Sequence, residues 1–160
     1  MFSSTYRGTS MYVKDLKWTK GMSITELMGQ YGAVGFQSIE LAKAVKTILK
    51  MHNAGAKVFL TFTSNMVTSG LRGFFAQLVE KKLPSVLVTT VGAIEEDIMK
   101  AKGEQFIVGS FASNDIALHE QGVNRVGNLF ISSESYCNFE NTMLPIFDKL
   151  YAIKPRWTPS

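Results

Sequence analysis

From Lys57 onward, short apolar runs alternate with stretches of helical periodicity, and that alternation leaves few folds open. Residues 57–63, Lys-Val-Phe-Leu-Thr-Phe-Thr, have the length and β-rich content of a buried strand. Residues 71–82 carry Leu71, Phe74, Phe75, Leu78 and Val79 at helical spacing on one face, and Pro84 marks the turn behind them. A second strand is predicted over 85–90. A second helix follows over 94–102, acidic at its start and lysine-bearing at its end, as the helix dipole favours. Residues 105–108 and 128–131 read as a third and a fourth strand. A last helix over 138–152 presents Phe139, Met143, Ile146, Phe147 and Leu150, with Pro145 expected to kink it or reset its start. Strand–helix–strand–helix–strand predicts an α/β chain of Rossmann-like type: a mostly parallel open sheet with flanking helices and right-handed crossovers.

The segment before the first strand reads as a helical lead-in, about 1–55, to a core over 56–160, together one partial domain. Ser23-Ile-Thr-Glu26 has capping-box spacing, and Ser38 can cap a helix carrying Leu41, Val45, Ile48 and Leu49. Gly29-Gln-Tyr-Gly-Ala-Val-Gly35 has the wrong glycine spacing for a dinucleotide fingerprint and reads as a turn between helices.

Composition narrows the function classes. With 46% hydrophobic and 19% charged residues the chain is globular, and no apolar run is long enough to span a membrane. Residues 1–10 are polar and lack the apolar core of a signal peptide, so they read as mature sequence. The single cysteine, Cys137, has no intrachain partner, which suits a reducing compartment such as the cytoplasm. The net charge of +4 is spread rather than clustered, so no nucleic-acid partner is expected. His52 and His119 stand alone, and no His, Cys and carboxylate cluster has metal spacing.

In such a sheet, ligands bind beyond the carboxyl ends of the strands. Two loops fall there: Thr63-Ser-Asn-Met-Val-Thr-Ser-Gly70 and Thr90-Val-Gly-Ala-Ile-Glu-Glu-Asp97. Each offers hydroxyls and backbone N–H groups where a helix begins, which is an anion site. For either loop alone helix capping is the simpler explanation, because Ser, Thr and Asn cap helices whatever the function. Two such loops on consecutive parallel strands make a shared pocket competitive with it.

Several segments, in order, resemble the deoxyhypusine synthase family. They are Gly35-Phe-Gln37, Phe62-Thr-Ser-Asn65 with Ser69-Gly-Leu-Arg72, Val88-Thr-Thr90 with Ile94-Glu-Glu-Asp97, Gly122-Val-Asn-Arg-Val-Gly-Asn-Leu129, Tyr136-Cys-Asn-Phe-Glu140 with Leu144-Pro-Ile146, and Trp157-Thr-Pro-Ser160. They run from about Val13 nearly to the end. What resembles the family is its N-terminal, cofactor-side half.

The resemblance implies an NAD-dependent enzyme that moves the aminobutyl group of spermidine through an enzyme lysine to a lysine of the hypusine-containing translation initiation factor. Carried over by position, NAD contacts fall on Ser64, Asn65, Met66, Val67, Thr68, Thr90, Val91, Gly92 and Glu96, and Glu95 and Glu96 line the spermidine site. The lysine nucleophile belongs to the family's second half, so no catalytic residue is expected within residues 1–160. A chain carrying that half is the expected partner, in a homo- or hetero-oligomer resembling a tetramer, with Trp157 packed against another chain. The family's second loop typically reads Thr-Ala-Gly-Gly where this chain reads Thr90-Val-Gly-Ala93. Val91 is β-branched where a small residue admits the cofactor. Ala93 replaces a glycine, which matters if that position needs positive φ. A non-catalytic relative that regulates a complete synthase, or a polyamine transferase like homospermidine synthase, are the alternative readings.

Overall fold

The computed structural model describes residues 12–158. Residues 1–11, with the polar start expected over 1–10, lie outside the described residues, as do residues 159 and 160. Two units can be distinguished, Met1–Val58 and Phe59–Ser160, each with its own contacts.

In the first unit, α1 (Ile24–Tyr31) begins at the expected capping box. Ser23 Oγ accepts from the Glu26 N–H at 3.2 Å, and the Glu26 carboxylate accepts from the Ser23 N–H at 2.7 Å. The glycines after α1 form the predicted turn, and α2 (Gln37–Asn53) packs back with Ala42 buried. Ser38 does not cap α2. Phe36 holds that place at φ 58°, while the Ser38 hydroxyl donates back to the Val34 and Gly35 carbonyls. The extended stretch before α1 is tied down by Gln30, whose amide exchanges two hydrogen bonds with the backbone of Lys17.

In the second unit, β1 (Phe59–Phe62) and β2 (Val86–Thr89) pair in parallel, Phe59 opposite Val86 through Phe62 opposite Thr89. The crossover between them begins as a short turn, α3 (Ser64–Met66), passes through a π-wound segment, Val67–Leu71, that opens at Gly70 (φ 102°), and continues as α4 (Arg72–Glu80). Phe75 of α4 stacks on Phe62 with ring centroids 3.8 Å apart. Val67, Phe75 and Ala93 form the core there, flanked by Leu60, Phe62 and Leu78. After β2 comes α5 (Val91–Ala101), which buries Ala93, Glu96 and Met99.

The third and fourth predicted strands exist but do not extend the parallel sheet. β3 (Ile107–Val108) and β4 (Val123–Val126) both pair antiparallel with β5 (Leu129–Ser132), giving a separate three-stranded sheet in the order β3-β5-β4. The observed class is therefore mixed α/β with a small parallel sheet and an antiparallel one. Two features, one local and one between distant residues, accompany this pairing. Gly127-Asn128 closes a two-residue hairpin with Gly127 at φ 62°, the turn that antiparallel strands require. Gly109 lies against the Phe130 ring, where an added Cβ would come within 2.2 Å of it, so β3 is drawn onto β5. A short helix, α6 (Asp115–Glu120), capped by Asn114, leads into β4 and is held by a bidentate Arg125–Asp115 pair at 2.5 and 2.7 Å.

The last helix, α7 (Ser133–Ile153), starts five residues earlier than periodicity placed it, because Ser132 caps it. It runs through Pro145 as one helix, neither broken nor restarted there. Trp157 folds back on the end of α7, its indole N–H reaching the Leu150 and Lys154 carbonyls, and about half of the residue stays exposed.

Candidate functional site

The two segments read as loops from the sequence meet, but both are mostly helical: α3 and the π-wound turn take up residues 64–71, and α5 begins at Val91, three residues earlier than periodicity placed it. Thr90 Oγ1 accepts a hydrogen bond from the Ser64 N–H at 3.0 Å, joining the end of β2 to the start of α3. Gly92 lies so close to the first loop that a Cβ added there would stand 3.1 Å from Ser64 Cβ and 3.3 Å from Ser64 Oγ. A side chain at this position would require Ser64 to give way by a few tenths of an ångström.

The capping explanation fails at both places. Ser23, Asn114 and Ser132 each cap a helix with a side-chain oxygen. Thr63, before α3, makes no side-chain cap, and neither does Thr90, before α5. The Thr90 hydroxyl is engaged with Ser64 instead, so it does not cover the first-turn N–H groups of α5. No acidic side chain sits in that first turn either. An exposed helix start of this kind attracts an anion.

Behind the loops lies a carboxylate. Glu96 is 7% exposed and Thr68 is 4% exposed, and the Thr68 hydroxyl is hydrogen-bonded to Glu96 Oε2. Thr68 Oγ1 also lies 3.2 Å from the Ser64 carbonyl oxygen. The single Thr68 proton is shared between these two acceptors. Burial raises the Glu96 pKa above the ordinary carboxyl value; the Thr68 hydrogen bond and the Lys100 charge oppose that shift, and Glu95 adds to it. Tyr136 of α7 lies in the field of the same pair. Its phenol is pushed up by burial first and by the charges of Glu95 and Glu96 second.

The other expected site residues divide by exposure. Ser64, Gly92 and Glu95 are half-buried, and Asn65, Met66 and Thr90 are exposed. Val91 is 82% exposed, so its branched side chain does not intrude between the loops. Val67 points inward against Phe75 and Ala93 and offers only its backbone to a ligand. Ala93 is a buried residue inside α5 with no positive φ, so its methyl serves the core and a glycine is not required there. Gly92 is the position in that loop where a small residue is needed.

Sequence reasoning passed over three participants. Lys100 sets its ammonium on the Val67 and Thr68 carbonyls at 2.7 and 3.1 Å. Its spacing of four residues from Glu96 on one helix was a legible signal. Arg72 pairs with Asp97 across α4 and α5. An apolar cleft of about 350 Å³ opens beside that pair, lined by Phe62, Val67, Phe75, Val79, Ala93 and Ile94. Tyr136 stood in a quoted motif, but nothing in its spacing announced that α7 would return to the acid pair. Among the described residues no group of His, Cys, Asp and Glu could hold a metal ion, and no helix is long and apolar enough to cross a membrane.

These features define a class: an α/β chain in which two strand-to-helix loops close over a buried carboxylate. The deoxyhypusine synthase family model matches residues 26–160, and the chain belongs to that family. The probable deoxyhypusine synthase of Thermococcus gammatolerans is 39% identical over 137 residues, covering 82% of this chain and 40% of that protein. The probable deoxyhypusine synthase of Schizosaccharomyces pombe is 37% identical, covering 88% of this chain and 44% of that protein. The deoxyhypusine synthase of Nicotiana tabacum is 32% identical, covering 99% of this chain and 49% of that protein. The chain thus spans less than half the length of these relatives. A solved structure, a putative deoxyhypusine synthase from Entamoeba histolytica, aligns with 57% of this chain and 38% of its own at 37% identity and a TM-score of 0.44.

Proposed function

We propose that this chain forms the cofactor side of a deoxyhypusine synthase site, serving NAD-dependent transfer of the aminobutyl group of spermidine to a lysine of the hypusine-containing translation initiation factor. The lysine nucleophile comes from the part of the family's length that these residues do not span. One observation carries the reading: the start of α5 is left uncapped by the Thr90 side chain, in the helix that also carries the buried Glu96 and inside the matched region.

The donor set suits NAD. The Val91 and Gly92 N–H groups at the start of α5, the half-buried Ser64 hydroxyl and the exposed Thr90 hydroxyl would meet its phosphate oxygens, with Asn65 and Met66 around them and Val67 and Thr68 contributing from the backbone side. Glu96 would accept from a ribose hydroxyl. NAD, when bound, supplies a hydride acceptor. The protein's own residues orient and screen. Gly92 keeps the two loops in contact, and Thr68 holds the Glu96 carboxyl in one orientation. Glu95 and Glu96 present negative charge to a polyamine, and each such ammonium–carboxylate contact strengthens as water leaves. Ala93 and Val91 fit the loop without strain, which favours a working site over a purely regulatory relative.

The test is complementation. The chain is mixed with the second half of a curated relative, and NAD binding and aminobutyl transfer from spermidine are measured. Transfer is expected, and Glu96→Ala in the mixture should abolish it while leaving the circular dichroism spectrum unchanged. No NAD binding and no transfer by a complex that demonstrably forms would refute the proposal.

A further inference from the structure

Lys100 projects from α5, one turn beyond Glu96, and reaches back to the opposite loop. Its ammonium donates to the Val67 carbonyl at 2.7 Å and the Thr68 carbonyl at 3.1 Å. It also lies 4.6 Å from the centroid of the Phe106 ring. The two carbonyls belong to the π-wound segment that opens at Gly70, where the regular ladder of a helix is interrupted. An interrupted ladder needs outside donors, and Lys100 provides two of them.

We propose that Lys100 is a positioning residue for the cofactor loop: by gripping the Val67 and Thr68 carbonyls from α5, it fixes the turn that aims the Thr68 hydroxyl at Glu96 and sets that carboxyl group's orientation. The geometry is one closed circuit. α5 carries both Glu96 and Lys100, Lys100 holds the backbone of Thr68, and the side chain of Thr68 holds Glu96. Fixing any two links fixes the third. The charged and titratable groups around the circuit are Glu95 on α5, Arg72 on α4 with its partner Asp97, and Tyr136 on α7. Lys100 is the cation whose charge acts on Glu96, and burial lowers its own pKa, partly opposed by Glu96. Its loss would therefore do two things at once: release the loop and remove a charge that favours the ionised Glu96.

The inference rests on the reading of this loop as a cofactor loop, and the test separates the two. In the chain, Lys100→Met and Lys100→Gln are compared with Lys100→Arg and the wild type. The readings are amide hydrogen exchange over residues 64–71, a carbon NMR titration of the Glu96 carboxyl with Glu104 as control, and NAD affinity by calorimetry. With Met or Gln, loop amides should exchange about tenfold faster or more. Glu96 should titrate higher, Glu104 should not move, and NAD should bind roughly tenfold more weakly, a loss of about 1.4 kcal/mol. Arg should restore most of each. A lower melting temperature with unchanged loop exchange and unchanged Glu96 titration would make Lys100 a structural tie only and overturn the proposal. Should both neutral variants unfold, Lys100→Arg decides: a protected loop with Glu96 titrating as in the wild type supports the proposal, and a displaced titration or an unprotected loop overturns it. Failure of the wild type to bind NAD would sink the cofactor reading while leaving the exchange and titration results to judge Lys100.

Discussion

At the scale of single residues, Gly92 and Glu96 bear the most specific constraints. Gly92→Ala sets a methyl 3.1 Å from Ser64 Cβ, tighter than ordinary contact, and neither neighbour is the free end of a long chain. Ser64 must give way by a few tenths of an ångström, at a cost of about 1 kcal/mol in stability. NAD affinity should fall roughly tenfold if the loops bind it together. A thermal melt and a calorimetric titration check both, and an unchanged affinity would detach Gly92 from the site. Glu96 gives a prediction in pH. Burial raises its pKa in the folded chain, so the folded state holds this proton more tightly than the unfolded state does. Its contribution to stability is fully present below the ordinary carboxyl pKa and is lost as pH rises through the raised value. Glu96→Gln cannot ionise, so the wild type should lose stability relative to this variant as pH rises above the ordinary carboxyl range. Urea denaturation of the two proteins over that rise measures it. A difference that stays flat or runs the other way would show that Glu96 is not held in a desolvated place.

At the scale of elements, α7 departs most from a simple periodic helix. Proline inside a helix lacks the N–H for the bond to the residue four earlier, and Pro145 lies thirteen residues into a 21-residue helix. Pro145→Ala should stabilise α7 by about 1–3 kcal/mol and raise the melting temperature. An unchanged melting temperature would mean that neighbouring groups already compensate. The start of α7 is tied to the end of α5 through Glu104, whose carboxylate accepts from Ser135 Oγ at 2.6 Å and Asn138 Nδ2 at 3.0 Å. Those bonds, Ser135 first, lower the Glu104 pKa. The tie therefore persists above the ordinary carboxyl range and loosens as pH falls through the lowered value, the reverse of Glu96. It also carries Tyr136, the next residue, toward the acid pair.

At the scale of the whole molecule, the parallel strands are incompletely covered. Val86, Leu87 and Val88 of β2 are all exposed, as is Phe59 of β1, whereas parallel sheets are normally covered on both faces. The chain should therefore self-associate or bind a complementing polypeptide, and light scattering showing a well-behaved monomer at high concentration would count against that. The same incompleteness predicts no aminobutyl transfer by the chain alone. The reaction needs a placed amine with a depressed pKa. Lys100 is a partly buried lysine with a lowered pKa, but its ammonium is engaged with two carbonyls. Transfer by the isolated chain, assayed with NAD, spermidine and acceptor protein, would require a lysine acting in a way these contacts do not suggest.

Local chemistry was enough for the elements whose causes lie within a few residues: the Ser23 capping box, β1 and β2 with a helix crossing between them, and the body of α5, though not its first turn. The hairpin at Gly127-Asn128 was equally local, since Val123 to Leu129 carries a hairpin turn between alternating residues, yet as a family motif it was left unread as structure. Other features depend on residues far apart in the chain. β3 joins β5 because Gly109 accommodates the Phe130 ring, and a two-residue strand has no periodicity of its own to announce its partner. Whether Thr90 caps its own helix or binds Ser64, 26 residues away in sequence, is decided by the pairing of β1 with β2. The meeting of Thr68, Glu96 and Lys100 likewise required the crossover to close. The sequence by itself determined the residue types and helical faces of this site, because propensity and periodicity act over a few residues; only the tertiary structure decided which hydroxyl meets which carboxylate, because a hydrogen bond depends on distances that packing alone sets.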